Sequence, residues 1–566
     1  MAERERTTLD GVRVFDGRDK FLPGKIAIGL SYLLVGNGGG EAKRARLVRG
    51  YREIADLTVG MDNETWGIYY YLLALNRLKR AGLLEEAVAP ETLAQLRRRL
   101  DWRTFVTTTD YKLIDLPSNY YGVAFSVARL RVLLGWEDES ASRALLDKML
   151  AHYAKYSGEF GFSDETEGEG RFDRYSILLA AEVSERYIET GLEVTPQLRR
   201  LLSNSVKIAF DVGRANGEGF SFGRSIGPYG DTAILEILTA AAALGLLDDD
   251  QARHAYAYSA RILERYLDFW YDPALRSVDM WGKGRRTDAY RGKHRILGEN
   301  LSLLHQLVAA GELWKKAGYA GVRPVDDLDA WLKKTQPAFA LHWFARGPQD
   351  RALAVVRDGA RVFSLLMVNG GVGQHDNSPY YALPFANDII AGVPDSGARH
   401  AQLLPKLRMR DATELIPAAF IKAIRSESEG PRHVVSFRQD ALDRLGKKGP
   451  IVDERIQVET RYEFSPGTIR RTDRYTAKTP VEVEMLSLEF ASFSTAPVAR
   501  ASTVDFGDGS VERFEARGFD GCRARALDNE EALRSPTGPM RSLVQCERAG
   551  FSLKEPLVVE WTVRYR

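Results

Sequence analysis

The apolar residues of this 566-residue chain change their spacing partway along, and that change limits the folds open to it. Up to about residue 335 they recur every three or four positions, as in Tyr175, Leu178, Leu179 and Val183, the spacing of a helix with one buried face. Helices are predicted over 42–57, 66–81, 90–100, 120–134, 141–156, 172–190, 195–212, 232–247, 249–270, 297–317 and 326–334. Gly and Pro punctuate the joints, and no short exact repeat is visible, so paired helices in a ring fit better than a simple solenoid. Beyond about Gln336 the period falls to two: Val458, Thr460, Tyr462 and Phe464 alternate with Glu459, Arg461 and Glu463. Strands are predicted at 352–356, 362–368, 420–424, 433–437, 455–464, 467–475, 481–490, 511–514 and 557–565. Many short strands in series form antiparallel sheets, here a stacked sandwich. The chain therefore divides into a helical domain, 1–335, and a β-sandwich domain, 336–566, with the boundary in Lys334–Arg346 ahead of the first strand.

Composition excludes several classes. A net charge of +2 gives no global case for a nucleic-acid or membrane partner. No run of 18 apolar residues exists to span a bilayer. The start, MAERERTTLD, lacks the apolar core of a signal peptide, so it reads as cytoplasmic; a periplasmic or secreted location would require a leader that has been removed. Cys522 and Cys546 lie 24 apart in a strand-rich region and are either bonded or two buried thiols. The eight histidines show no metal-ligand spacing, so no metal or cofactor is expected. Oligomeric state is left open.

Four stretches carry chemistry. In Gly219–Gly245, a Gly-rich loop presents Arg224 and Tyr229 before an apolar helix, ILEILTAAAALG, with Asp231 or Thr232 as its expected cap. In LPSNYYGVAF, Asn119 and Tyr120 stand at a helix start, where free N–H groups and an amide suit a carboxylate. In Trp281–Glu299, six Lys/Arg between Lys283 and Arg295 face one acid, Asp288; Arg286, Arg291 and Arg295 are candidate anion contacts, with Tyr290 and His294 among them. In Asn369–Asp388, a Gly-rich loop carries His375, Asp376, Asn377, Tyr380 and Tyr381. Trp66, Tyr69, Tyr70, Tyr120 and Tyr121 at helix starts are expected in the core more often than against a sugar, although Trp66 and Tyr120 are kept as substrate contacts.

An incomplete (α/α) toroid followed by an antiparallel β-sandwich, with these loops, resembles the polysaccharide lyases of the heparinase, alginate and chondroitin lyase type. The resemblance implies β-elimination on an anionic, uronate-containing polysaccharide. Asn119 matches the Asn of their Asn-His-Gly-type loop, with a Tyr where the His would stand. Arg224, Tyr229 and the following helix look like their Arg, Tyr and apolar-helix element, with Gly230 where a His often follows. On this reading Asn119 and Arg224 neutralise the uronate carboxylate, and Tyr229, Tyr290, His294 and His375 are candidates for base and acid. The basic patch, Tyr380 and Asn377 then hold substrate.

The alternative is an α/α-barrel glycoside hydrolase, which needs a pair of carboxylates; Glu159, Asp164, Glu165, Glu167, Glu169 and Asp173 in one acidic stretch are its candidates. A non-catalytic carbohydrate-binding protein would show aromatic platforms without a coupled Asn/Arg/Tyr set.

Overall fold

The computed structural model describes residues 8–13, 15, 18–36, 38–117, 119–157, 159–164, 172–223, 225–280, 293–368, 381–392, 402–445, 450–530, 533–535 and 538–566. Among them, twelve α-helices of eight residues or more come first: α1 (Leu22–Val35), α2 (Glu41–Thr58), α3 (Thr65–Arg80), α4 (Pro90–Arg99), α5 (Tyr120–Leu134), α6 (Ser140–Ser157), α7 (Arg174–Glu189), α8 (Pro196–Val212), α9 (Pro228–Ala243), α10 (Asp249–Arg265), α11 (Ile296–Trp314) and α12 (Leu328–Thr335).

The odd-numbered helices form an inner ring. α1 packs on α3, α3 on α5, α7 on α9, α9 on α11, and α11 returns to α1. α5 and α7 meet through Phe125 and Tyr187, whose ring centroids are 6.1 Å apart. The even-numbered helices lie outside: α2 against α1, α6 against α5, α8 against α7 and α9, α10 against α9. Sequence explains the sorting. α3 and α9 are buried on nearly every side, whereas α2 buries only Val48, Tyr51, Ala55 and Thr58 along one stripe.

The helix α1 is absent from the sequence reading. Its Pro23, Gly24 and Gly29 lower helix propensity, but they serve packing. A Cβ on Gly24 would lie 1.9 Å from the Gly67 carbonyl oxygen, so α1 and α3 touch backbone to backbone. The start of α9 also differs from expectation: the helix begins at Pro228, after Gly227 at φ 77°, not at Thr232. Asp231 is therefore inside the helix, where it accepts from Gly219 N (2.8 Å), Trp270 Nε1 (2.9 Å) and Arg265 Nε (3.1 Å).

Sheets follow. The strands β1 (Phe339–Ala345), β2 (Arg351–Asp358), β3 (Arg361–Met367) and β4 (Pro384–Phe385) form one antiparallel sheet in chain order. The stretch Lys334–Arg346, read as a boundary ahead of the first strand, thus contains β1. This sheet packs against the helical ring near the end of α8. Arg357 Nη2 donates to the carbonyls of Asp211 and Gly213, both at 3.0 Å, supplying a cation and donors where α8 ends. Arg214 Nη2 donates to Val362 O at 2.6 Å, and Phe344 stacks on Phe172.

Two larger antiparallel sheets complete the chain. One has eight strands, with Ile456–Ser465 and Thr468–Ala477 paired near its centre; the other has seven, with Val481–Ser492 paired to Ser542–Leu553. Their inner faces share a core, in which Leu407, Leu415 and Leu486 of the seven-stranded sheet meet Ile456, Val458 and Tyr475 of the eight-stranded one. Strand Ser542–Leu553 was not predicted, because Glu547, Arg548 and Gly550 interrupt its alternation. Cys522 and Cys546 are direct cross-strand neighbours and form a disulfide.

Gly24→Ala should lower the unfolding midpoint, by overpacking worth roughly 1–3 kcal/mol, while Gly50→Ala, whose new Cβ meets nothing within 4 Å, should leave it unchanged or raise it slightly. Denaturant unfolding of the two variants beside the parent protein checks this; equal loss in both would remove the close-packing role of Gly24.

Candidate active site

Inside the ring lies a cleft of about 360 Å³ to which every inner helix contributes. Lys25 comes from α1, Trp66 and Tyr70 from α3, Asn119 and Tyr120 from the start of α5, and Tyr229 and Glu236 from α9. The α7 contribution is Arg174, Glu182, Glu185, Arg186 and Glu189; that of α11 is Ser302, His305 and Gln306, with Arg295 just before it. The polar residues of α7 and α11 recur at helical spacing, so each helix turns one polar stripe inward.

Tyr229 is held at its hydroxyl, which donates to Glu299 Oε2 at 2.5 Å. Glu299 is 0% exposed and sits between two cations: Lys25 Nζ is 3.8 Å and Arg295 Nε 3.7 Å from its Oε1. The same two cations approach Asp19 at 3.7 and 3.6 Å. A buried carboxylate is tolerable only when paired in this way. Asn119 lies beside the first turn of α5. Its Oδ1 is buried with no hydrogen-bond partner among the described residues.

The glutamates of the cleft are unusual. Burial pushes Glu236 up to about 8, and the neighbouring Glu182 adds to the shift while Arg186 and Arg174 oppose it. Burial also raises Glu182 and, more strongly, Glu185, which the charge on Glu236 raises further. Glu189 accepts from Tyr69 Oη at 2.9 Å. His305 moves the other way: burial, then the positive charges of Arg186 and Arg77, lower it to about 3. It is a neutral imidazole near pH 7, with Tyr32 Oη 2.8 Å from Nδ1. The cleft thus offers cations, an amide, a phenol, carboxyl groups of raised proton affinity and a neutral imidazole, a set able to bind an anion and to move protons.

Of the residues singled out from sequence, Asn119, Tyr120, Trp66, Tyr229 and Arg295 line this one cleft. His294 lies in the turn Lys293–Arg295, part-exposed and outside the cleft lining. Arg224, Arg286, Tyr290, Arg291, His375, Asn377 and Tyr380 fall outside the described residues, as do Glu165, Glu167 and Glu169. Asp173 caps α7 by accepting from Tyr175 N at 2.7 Å, and Glu159 is exposed. The cleft carboxylates are others, Glu182, Glu185, Glu189 and Glu236, which the sequence reading missed. A signal existed: a lone Glu236 in the apolar run ILEILTAAAALG needs a polar cavity or partner, as does the 182, 185, 189 spacing. Tyr69 is core, as expected, whereas Tyr70 faces the cleft.

No protein-family model matches this chain, and no curated protein matches it. Solved structures similar to it include heparinase III, at 12% identity, with 100% of this chain and 88% of that chain covered and a TM-score of 0.37. The heparan sulfate lyase HepC from Pedobacter heparinus is 11% identical over 97% of this chain and 77% of that one, at 0.34. A possible member of the GH105 family from Salmonella enterica serovar Paratyphi A is 11% identical over 52% of this chain and 83% of that one, at 0.37. Likeness of this degree assigns no activity.

Glu236 has a raised folded-state value, so the folded protein binds more protons than the unfolded chain between about 4.5 and 8. Its contribution to stability is therefore present at low pH and lost as pH rises to about 8. Glu236→Gln should gain stability relative to the parent as pH increases from 5 to 8. Urea unfolding across that range measures this, and a parallel pair of curves would contradict it.

Proposed function

We propose that this protein is a polysaccharide lyase that cleaves an anionic, uronate-containing polysaccharide by β-elimination. The observation that supports it most is convergence. Asn119 and Tyr229, from separate inner helices, line one cleft with Lys25, Arg174, Arg186 and Arg295. Elimination needs three things: a neutralised uronate carboxylate, so that the adjacent C–H becomes acidic, a base for that proton, and an acid for the leaving oxygen. The Asn119 amide and the cleft cations serve the first, joined by Glu236, which keeps its proton at neutral pH and so does not repel the substrate anion. Tyr229 serves the second or third. Its proton already points at Glu299. As a phenol it can protonate the leaving oxygen, and as a phenolate it can take the substrate proton. Arg224, His294 and His375 stay as candidates for the remaining roles, as do Tyr290 and the anion contacts Arg286, Arg291, Tyr380 and Asn377. The helical domain, 1–335, would carry the chemistry and the sandwich domain, 336–566, would support it. The Cys522–Cys546 disulfide suits a periplasmic or extracellular setting.

The glutamates favour a second reading, glycoside hydrolysis, in which Glu236 acts as general acid and a second cleft carboxylate as base or nucleophile.

A panel of polyuronates separates the two. A lyase produces an ultraviolet-absorbing unsaturated uronate, and both Asn119→Ala and Tyr229→Phe should cut its rate by about 100-fold or more. New reducing ends without that absorbance, lost in Glu236→Gln and retained in Tyr229→Phe, would replace the lyase with the hydrolase.

A further inference from the structure

His305 is buried in the wall of the cleft, and the elimination chemistry gives it no role. It comes from α11 and lines the cleft with 6% of its surface exposed. Six residues separate it from Glu299, about 9 Å along the helix axis, so it meets a ligand away from the Tyr229 hydroxyl. Its ring is held on two sides. Tyr70 of α3 stands edge-on to it, with centroids 5.3 Å apart, and Tyr32 Oη of α1 lies 2.8 Å from Nδ1. Nε2 has no hydrogen bond among the described residues and is not sealed by burial, which leaves it as the ring nitrogen open to the cleft.

The direction of the Tyr32–His305 hydrogen bond decides what Nε2 offers. A neutral imidazole has one N–H and one bare nitrogen, and the partner of one nitrogen fixes the state of the other. Tyr32 keeps its proton, because burial raises the phenol above its ordinary range, and Nδ1 is its one acceptor among the described residues. The Arg77 guanidinium carbon lies 4.1 Å from the Tyr32 ring centre, and its positive charge makes the hydroxyl a stronger donor. Arg77 is itself fixed by a two-pronged bond to Glu312, at 2.9 and 2.8 Å. The phenol therefore donates to Nδ1, the ring proton sits on Nε2, and His305 faces the cleft as a donor. With no lone pair left at Nε2, it is not a base there.

We propose that His305 is a specificity-determining residue, donating from Nε2–H to an oxygen of the bound sugar that has no proton of its own, and that Tyr32 is the positioning residue that fixes this tautomer. The ligand rests on the polysaccharide reading above; the tautomer does not. A carboxylate, carbonyl or ether oxygen can pair with this tautomer alone, whereas a hydroxyl pairs with either, so the lock selects for the proton-free acceptor. The ring stays neutral near pH 7, because burial and then the charges of Arg186 and Arg77 hold it down at about 3.

Nitrogen NMR of the ligand-free protein, isotope-labelled at histidine, reads the tautomer directly, with the His305 signals assigned by their loss in His305→Gln. The parent should show a protonated Nε2 and a bare Nδ1 near neutral pH. Tyr32→Phe, which removes only the hydroxyl, should turn this into a mixture of tautomers. A protonated Nδ1 in the parent, or an unchanged ring in Tyr32→Phe, would overturn the lock. The contact is tested by calorimetric binding of a panel of uronate oligomers, in whichever of Tyr229→Phe and Glu236→Gln the turnover assay finds inactive. Adding His305→Leu should weaken binding by about tenfold or more, whereas His305→Gln, which keeps an N–H donor, should weaken it by less than about threefold. Equal loss in both, no loss in either, or a bound oligomer that leaves the Nε2 signal unmoved would overturn the contact while the polysaccharide reading stands. A panel in which nothing binds the parent would sink that reading and the contact together, leaving the tautomer as a separate result. If His305→Leu unfolds, the response of Nε2 to the bound oligomer decides alone.

Discussion

Glu299 is a wholly buried carboxylate, and the geometry of the cleft hangs on how it is satisfied. It sits on α11, accepts the Tyr229 hydroxyl from α9, and lies within 3.8 Å of Lys25 on α1 and 3.7 Å of Arg295. Three inner helices are thereby pinned at one point, including the two whose contact returns the ring to its start. The pinning is tight because Gly298 has no side chain: a Cβ there would lie 2.1 Å from Asp19 Oδ2. Removing one partner from such a group leaves a buried charge uncompensated, at a cost of about 3–5 kcal/mol. The same contact that closes the ring also orients the phenol most central to the proposed chemistry.

Around that point the cleft sorts its titratable groups by burial. Glu236, Glu182 and Glu185 lose water and crowd one another, so their proton affinity rises. His305, buried against Arg186 and Arg77, loses its proton affinity. The raised proton affinity of these glutamates lessens the negative charge beside Arg174 and Arg186, while Lys25 and Arg295 face Glu299 and Asp19.

Much of this was legible in the residues. The switch from a three-to-four spacing to strict alternation marked the helical ring and the sandwich, because each period reflects which side of an element meets the core. Asn119 stood out at a helix start and Tyr229 before an apolar helix, and both face the cleft. Other features were hidden for definable reasons. The helix α1 was missed because glycines that permit backbone contact with α3 look locally like helix breakers. The Asp231 cap was misplaced because Gly227 and Pro228 start the helix a turn earlier. His305 and the α7 glutamates were passed over because a polar residue in a helix is usually solvated, and only ring closure turns that face inward.

The sequence by itself determined the two architectures, their order along the chain and the helix start that carries Asn119, since local period, glycine, proline and capping chemistry act over a few residues. It left the state of Cys522 and Cys546 open, and cross-strand register decided it by setting them side by side. Tertiary structure alone decided which helices face inward, which carboxylates share the cleft and which groups lose water. Those properties depend on contacts between residues such as 182 and 236, or 229 and 299, whose proximity is created by closing the ring and is written in no local pattern.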